Sequence, residues 1–144
     1  MEGVTRLLAL MLAGGLGTLA RYGLTFFVQS WLAGRGAKTV LAGVVGTAFP
    51  LGTLLINVTG SLLLAFVATL LINRALAPEW HFIIGTGFLG AFTTWSTFSL
   101  EAEAMLARGD WKSAGFYILG NFLLSLVAVV LGRMLALRVL ASGS

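Results

Sequence analysis

The order of apolar and polar positions divides the chain into four long apolar runs joined by short connections. The runs cover, approximately, residues 7–28, 51–72, 82–100 and 113–137. A helix crosses the roughly 30 Å hydrocarbon core of a bilayer with about 20 mostly apolar residues, so each run has the length of one span. The pattern therefore predicts an all-α integral membrane protein in which residues 1–144 form a single domain of four transmembrane helices.

The first run and the connection that follows it admit further interpretations. The first run, with the charged Arg6 before it, resembles a secretory signal peptide. However, it is not followed by a convincing small-residue cleavage site and a soluble region. We therefore expect the first run to remain as a transmembrane helix. The connection from Gly34 to Pro50 is apolar and contains glycine, which makes it a candidate interfacial segment.

The third run differs from the others in its density of glycine and hydroxyl residues. Its glycines are Gly85, Gly87 and Gly90, and they are followed by Thr93, Thr94, Ser96 and Thr97. Irregular backbone at membrane depth is tolerated only where protein or a water-filled cavity satisfies its polar groups. The composition predicts that the third helix is broken near mid-membrane.

Composition excludes several classes of protein. Hydrophobic residues make up 58% of the chain and charged residues only 10%, against about a quarter charged in soluble domains. There is no cysteine and only one histidine, His81, so thiolate or histidine metal sites are not expected. The basic residues occur singly between apolar runs rather than in a patch, which argues against a nucleic-acid partner.

The basic residues are balanced between the two sides of the predicted membrane domain. Arg6, Arg74, Arg133 and Arg138 flank the spans on the side of the termini, and Arg35, Lys38, Arg108 and Lys112 flank them on the other. Orientation normally follows an excess of Lys and Arg on the cytoplasmic side. The balance leaves two interpretations open: a weak bias arising by chance, or insertion in both orientations to form an antiparallel dimer.

Polar side chains within the predicted spans are the candidate functional residues, because an unsatisfied polar group in hydrocarbon is costly. They are mainly neutral hydrogen-bond donors. The amides belong to Asn57 and Asn121, and the hydroxyls to Thr53, Ser61, Thr93, Thr94, Ser96, Thr97 and Ser125. Donors without fixed cations suit a small anion that must be dehydrated and then released. The pattern therefore favours a pore for an anion.

Two other classes of membrane protein are alternatives. A small four-helix coupled transporter of cationic substrates needs a carboxylate within the membrane, but the first, second and fourth spans contain none. The nearest carboxylates, Glu101 and Glu103, lie at the far end of the third span. A non-transporting subunit of a membrane assembly is the other alternative. Measurement of ion flux distinguishes these classes.

Two further features have both a functional and a packing interpretation. Trp95 and Phe98 are three residues apart on one helix face, and the positive edges of their rings can face an anion, although such pairs commonly serve packing. Arg21 lies within the first span, where a guanidinium must reach the interface or a wet vestibule. It either attracts anions into a vestibule or anchors the helix.

Three stretches of the chain resemble the Fluc (CrcB) family of fluoride channels. They are GTLARY at residues 17–22, GTLLINVTGS at residues 52–61 and GFLGAFTTWSTFS at residues 87–99. The resemblance extends over nearly the whole chain, and the third stretch is the most specific.

The resemblance implies an architecture and a set of functional residues. It implies an antiparallel, dual-topology homodimer with two fluoride pores and a structural Na⁺ at the dimer centre, bound by the backbone carbonyls of Gly90 and Thr93. The implied pore residues are Thr53, Asn57, Thr94, Trp95, Ser96, Thr97, Phe98, Glu101, Tyr117, Asn121 and Ser125, with Arg21 in the vestibule. Trp95 stands where the family usually has Phe, and Asn121 where it often has Ser. The implied activity is passive export of fluoride from the cytoplasm through the inner or plasma membrane, without enzyme chemistry.

Overall fold

A computed structural model describes residues 3–34 and 49–143 of the chain. Every regular element in these ranges is a helix. Most of the predicted interfacial segment from Gly34 to Pro50, including Arg35 and Lys38, lies outside the described residues.

Within residues 3–34 and 49–143, three helices have the length and composition to cross a membrane. They are α1 (Gly3–Gly34), α2 (Leu51–Ile72) and, last in the chain, α6 (Trp111–Ser142). The bounds of α2 coincide with the predicted second span, whereas α1 and α6 extend beyond the apolar runs at both ends. The structure thus agrees with a multi-pass membrane protein.

The third apolar run forms separate helical pieces rather than one helix. A rod over residues 78–92 consists of α3 (Pro78–Trp80), a π-helix (His81–Leu89) and α4 (Gly90–Phe92). After Thr93 and Thr94, which are extended, α5 (Trp95–Ala107) begins. The π-helix contains Gly85 and Gly87, and segments of this wide-turned kind are frequent at functional sites.

A short turn after α5 fixes the start of α6. Gly109 has a positive φ of 76°, which glycine adopts without steric cost, and Asp110 then caps α6 by accepting the Ser113 N–H at 3.2 Å. The hydrogen bonds from the Ser113 side chain and backbone lower the pKa of Asp110 from its ordinary value of 3.8. At a pH above 3.8, Asp110 is ionised and its cap stabilises the helix. This stabilisation is lost as the pH falls through the lowered pKa of Asp110.

Close approach between helices depends on glycines that face backbone or Cβ atoms. A Cβ on Gly132 of α6 would collide with the Leu62 carbonyl of α2, and one on Gly17 of α1 would collide with the Phe88 carbonyl of the π-helix. Such small-residue contacts are the usual means of packing helices in membranes. They place α2 against α6, and α1 against the π-helix.

Most of the buried apolar residues form two clusters, one with residues of α5 and one with residues that precede the interruption. The first contains Leu54, Phe98, Ala102, Met105, Ala114 and Tyr117, and the second contains Ile56, Leu89 and Phe92. Large apolar side chains also cover the outer faces of α1 and α6, for example Phe27 and Phe122, each 66% exposed. Outward apolar faces of this kind fit contact with lipid or with another apolar protein surface.

Gly132→Ala is expected to destabilise the protein by about 1–3 kcal/mol, because the added methyl group would force α6 away from α2. Thermal unfolding of the purified protein in detergent measures the effect. Gly115→Ala is the matched control on the same helix, since its Cβ would meet nothing within 4 Å. Equal stability of the two variants would show that the α2–α6 contact does not depend on this glycine.

Candidate functional site

The centre of the candidate site is the interruption between α4 and α5. Thr93 has φ −75° and ψ 159°, and Thr94 has φ −149° and ψ 109°, so both residues are extended. Gly60 of α2 gives the interruption room, because a Cβ there would collide with the Thr93 methyl group. The conformation brings two polar peptide groups out of the helix and against α2.

The side chain of Asn57 in α2 binds the interruption from the side. Its Oδ1 accepts the Thr94 N–H at 3.0 Å, and its Nδ2 donates to the Thr94 carbonyl at 3.3 Å. The same Nδ2 donates to Oδ1 of Asn121 in α6 at 3.0 Å. One carboxamide thus joins three elements of the fold.

The interruption removes the usual helical donors from two carbonyls. In a continuous helix the Thr94 N–H would bond the Gly90 carbonyl and the Thr97 N–H would bond the Thr93 carbonyl. Here Asn57 takes the first N–H, and the Thr94 side chain takes the second at 3.2 Å as the N-cap of α5. Carbonyl oxygens released in this way are ligands that suit a hard cation such as Na⁺. These are the two carbonyls that the resemblance assigns to sodium, so the residues fit such an ion.

A second set of hydrogen bonds continues from the interruption along α6 and α5. Asn121 donates to the Tyr117 carbonyl at 3.1 Å, and the Tyr117 hydroxyl donates to Oε2 of Glu101 at 2.6 Å. The hydroxyl of Thr53 donates to Oε1 of Glu101 at 3.2 Å. Both carboxylate oxygens of Glu101 therefore accept hydrogen bonds within the protein.

Aromatic rings line the same region. The ring of Phe98 lies 5.1 Å from that of Trp95 and 5.3 Å from that of Tyr117, and Phe98 is 7% exposed. Phe49 packs edge-on against Tyr117 at 5.5 Å. Phe49 was not expected at this site, because it precedes Pro50 in the predicted connection and belongs to no motif.

Of the remaining predicted residues, some belong to this hydrogen-bond network and others do not. Thr97 joins it through its hydroxyl, which accepts from the Thr94 hydroxyl at 2.8 Å. Ser125 has a buried hydroxyl without a hydrogen-bond partner among the described residues. Ser96 is exposed, and Arg21 is half-buried on α1, outside the hydrogen bonds described above. The structure thus brings most of the predicted residues together, but not Ser96 or Arg21.

Apart from the Glu101 carboxylate, the side chains of the assembled site are neutral hydrogen-bonding groups and aromatic rings. Among the described residues there is no cluster of His, Cys, Asp or Glu side chains able to hold a metal ion. Amide, hydroxyl and ring-edge groups can replace part of the hydration shell of an anion without binding it as tightly as a fixed cation would.

Comparison with known proteins agrees with this chemistry. The family model described as "CrcB-like protein, Camphor Resistance (CrcB)" matches residues 8–133. Relatives named "Fluoride-specific ion channel FluC" include one from Methylococcus capsulatus, 41% identical over 92% of this chain and 53% of its own length. Those from Saccharophagus degradans and Nitratidesulfovibrio vulgaris are 39% and 40% identical, over 89% and 88% of this chain and 86% and 93% of their own lengths. The family resemblance seen in the three sequence stretches is therefore confirmed, and the chain belongs to the CrcB family.

Proposed function

We propose that this protein is a fluoride-selective ion channel that exports F⁻ passively from the cytoplasm. The observation that carries the proposal is the run of amide and hydroxyl groups around Asn57, Thr94 and Asn121 at an interrupted helix. The relatives named as fluoride-specific channels support the identity of the ion. A channel of this kind carries out no enzyme chemistry.

The proposed assembly is an antiparallel, dual-topology homodimer with two pores. The balance of basic residues on the two sides of the membrane supports insertion in both orientations. Gly90, Trp95 and Ser96 are exposed on the protomer, with Trp95 78% exposed, and a polar interruption exposed in this way needs cover at membrane depth. A second copy crossing at the same position would provide that cover.

The proposed structural cation at the centre of the dimer is Na⁺. The residues that would hold it are Gly90 and Thr93 of each protomer, through the carbonyls that lack their usual helical donors. A bound cation would offset part of the electrostatic cost of anions nearby. The carbonyls, not the side chains, are proposed as ligands.

The proposed path of the anion follows the polar groups of α5 and α6. Arg21 would raise the local anion concentration at the vestibule, and Asn121, Ser125 and the edge of Phe98 would replace water around the ion. Undissociated acid enters the cell and ionises at cytoplasmic pH, so the trapped anion leaves down its electrochemical gradient. The proposed location is the inner or plasma membrane.

Fluoride efflux from liposomes that contain the purified protein tests the proposal. A channel releases trapped fluoride when a potassium ionophore removes the charge imbalance, whereas a coupled cation transporter or a non-transporting subunit does not. Intact liposomes that hold fluoride, although they contain folded and dimeric protein, would refute the proposed function.

A sodium gradient is expected not to drive fluoride uphill, because the proposed Na⁺ is structural and does not cross the membrane. Fluoride accumulation is measured in liposomes with equal fluoride on both sides and sodium on one side only. A potassium gradient of the same size serves as control. Accumulation that depends on sodium would contradict a channel and favour a coupled transporter.

A further inference from the structure

A small cleft, the Arg6 cleft, lies at the opposite end of the rod over residues 78–92 from the helix interruption. It has a volume of about 110 Å³ and is lined by Arg6 of α1 and by Pro78, Glu79 and Phe82 of the rod. Pockets that enclose whole small molecules usually measure roughly 300–1,000 Å³. The Arg6 cleft therefore suits the polar end of a larger ligand.

The position of the Arg6 cleft in the sequence places it at the level of lipid headgroups. Arg6 directly precedes the first apolar run, and Phe82 begins the third. Trp80 is 52% exposed beside the cleft residues of the rod, and tryptophan is enriched where a membrane meets water. Leu7 and Leu8, which follow Arg6 in α1, are also exposed. A lipid with its headgroup in the cleft would thus find an apolar surface for its acyl chains.

An aromatic ring holds the guanidinium group of Arg6. The Cζ atom of Arg6 lies 4.1 Å from the centroid of the Phe82 ring, which is a cation–π contact. Among the described residues, the Arg6 side chain makes no hydrogen bond or ion pair. The N–H groups at the edge of the guanidinium are therefore available to an oxyanion, and their planar arrangement matches a phosphate group.

The carboxylate of Glu79 lines the same cleft but does not pair with Arg6. Glu79 forms no ion pair in the part of the chain that the structure describes, so the two opposite charges remain available to a ligand. A purely anionic headgroup would meet Glu79 as a like charge, whereas a zwitterionic headgroup would meet an opposite charge at each end. A primary ammonium group can also donate hydrogen bonds to the carboxylate, which a trimethylated one cannot. The two charges thus favour a zwitterion with a primary amine.

We propose that the Arg6 cleft binds the headgroup of a phosphoethanolamine lipid, with Arg6 on the phosphate and Glu79 on the ammonium group. The site is separate from the proposed path of the anion, and neither residue has a role in the proposed function. A lipid bound in this way would join α1 to the start of the rod at the membrane surface. Because it binds the folded protein, it would also stabilise the fold.

Native mass spectrometry of the full-length protein in detergent tests the proposal. The probes are dioleoyl lipids with phosphoethanolamine, phosphocholine or phosphoglycerol headgroups, titrated at the same concentrations. The unmodified protein is expected to bind the phosphoethanolamine lipid about two- to fivefold more tightly than the phosphocholine lipid, which is the effect of one partly exposed charge pair. Equal binding of these two lipids, or tightest binding of the phosphoglycerol lipid, would overturn the proposal.

Two substitutions separate the two ends of the headgroup. Glu79→Gln is expected to remove the preference for phosphoethanolamine over phosphocholine while both lipids still bind, and Arg6→Gln is expected to weaken the binding of both. Arg138→Gln is the matched control, since Arg138 is an exposed arginine predicted on the same side of the membrane and does not line the cleft. The lipid preference should persist in this variant.

Thermal unfolding of the same preparations gives a second measurement. The phosphoethanolamine lipid should raise the Tm of the unmodified protein and of Arg138→Gln more than the phosphocholine lipid does, and this difference should disappear in Glu79→Gln. A preference that persists in Glu79→Gln would overturn the assignment of the ammonium group to this carboxylate. Displacement of the lipid by an equal concentration of soluble phosphoethanolamine would show that the ligand is not a lipid.

Discussion

Asn57→Asp is expected to reduce fluoride efflux by about 100-fold or more. The aspartate would retain an acceptor for the Thr94 N–H but lose both donors, and its second oxygen would face the Thr94 carbonyl and Asn121 Oδ1. An uncompensated buried charge costs about 3–5 kcal/mol, and each 1.4 kcal/mol is a factor of ten in rate. Its negative charge would also repel the permeating anion. Initial efflux rates from liposomes, normalised to the amount of folded dimer, measure the effect.

Asn73→Asp is the matched control for this substitution. Asn73 lies at the exposed end of α2, and among the described residues its side chain bonds only the Thr69 carbonyl, so the same change of charge should leave efflux within about twofold. Efflux by Asn57→Asp at the rate of the unmodified protein would remove Asn57 from both the pore and the interruption.

Phe98→Ile is expected to reduce fluoride efflux by at least about tenfold while the protein remains folded. Isoleucine retains an apolar side chain but provides no ring edge, and the ring contacts of Phe98 with Trp95 and Tyr117 would be lost. Such ring interactions are worth about 0.5–1.5 kcal/mol beyond burial, and loss of an edge facing the ion would add to this in the rate. Efflux and thermal unfolding are measured on the same variant.

Phe92→Ile separates the effect on the pore from that on packing. Phe92 is also 7% exposed, but it packs in the other cluster, where its ring is stacked on Phe88 at 6.0 Å. The two substitutions should cost similar stability, about 1–3 kcal/mol, and only Phe98→Ile should lower efflux strongly. Similar loss of efflux in both variants would indicate that Phe98 acts through packing alone.

Three of the four apolar runs coincide with helices long and apolar enough to cross a membrane, because the signal of such a run is local. Residues 51–72 contain enough consecutive apolar side chains to specify α2 without reference to the rest of the chain. The ends of α1 and α6 were placed less well, since helical hydrogen bonding continues beyond the apolar run wherever the backbone can satisfy it. The interruption at Thr93 and Thr94 agrees with the glycine and hydroxyl density there, whereas nothing local indicated the π-helix before it.

The sequence indicated candidate residues for the site but not which of them are hydrogen-bonded to one another. Residue type identified Asn57, Tyr117 and Asn121 as polar groups in apolar surroundings. The side-chain partners of these groups lie 16 to 64 residues away in the chain, as for Glu101 with Tyr117 and Asn57 with Asn121. The role of Phe49 depends likewise on its edge contact with Tyr117, which only the folded chain provides.

The sequence by itself determined that the chain is a membrane protein and that its buried polar groups are mostly neutral donors, because length, hydropathy and side-chain chemistry are local properties. The tertiary structure decided which donors are already used. The Asn57 carboxamide is bonded to the N–H and the carbonyl of Thr94 and to Asn121, and only the folded chain brings these groups together. Hydrogen-bond saturation depends on distances between helices, and these are fixed by packing at glycines such as Gly60 and Gly132.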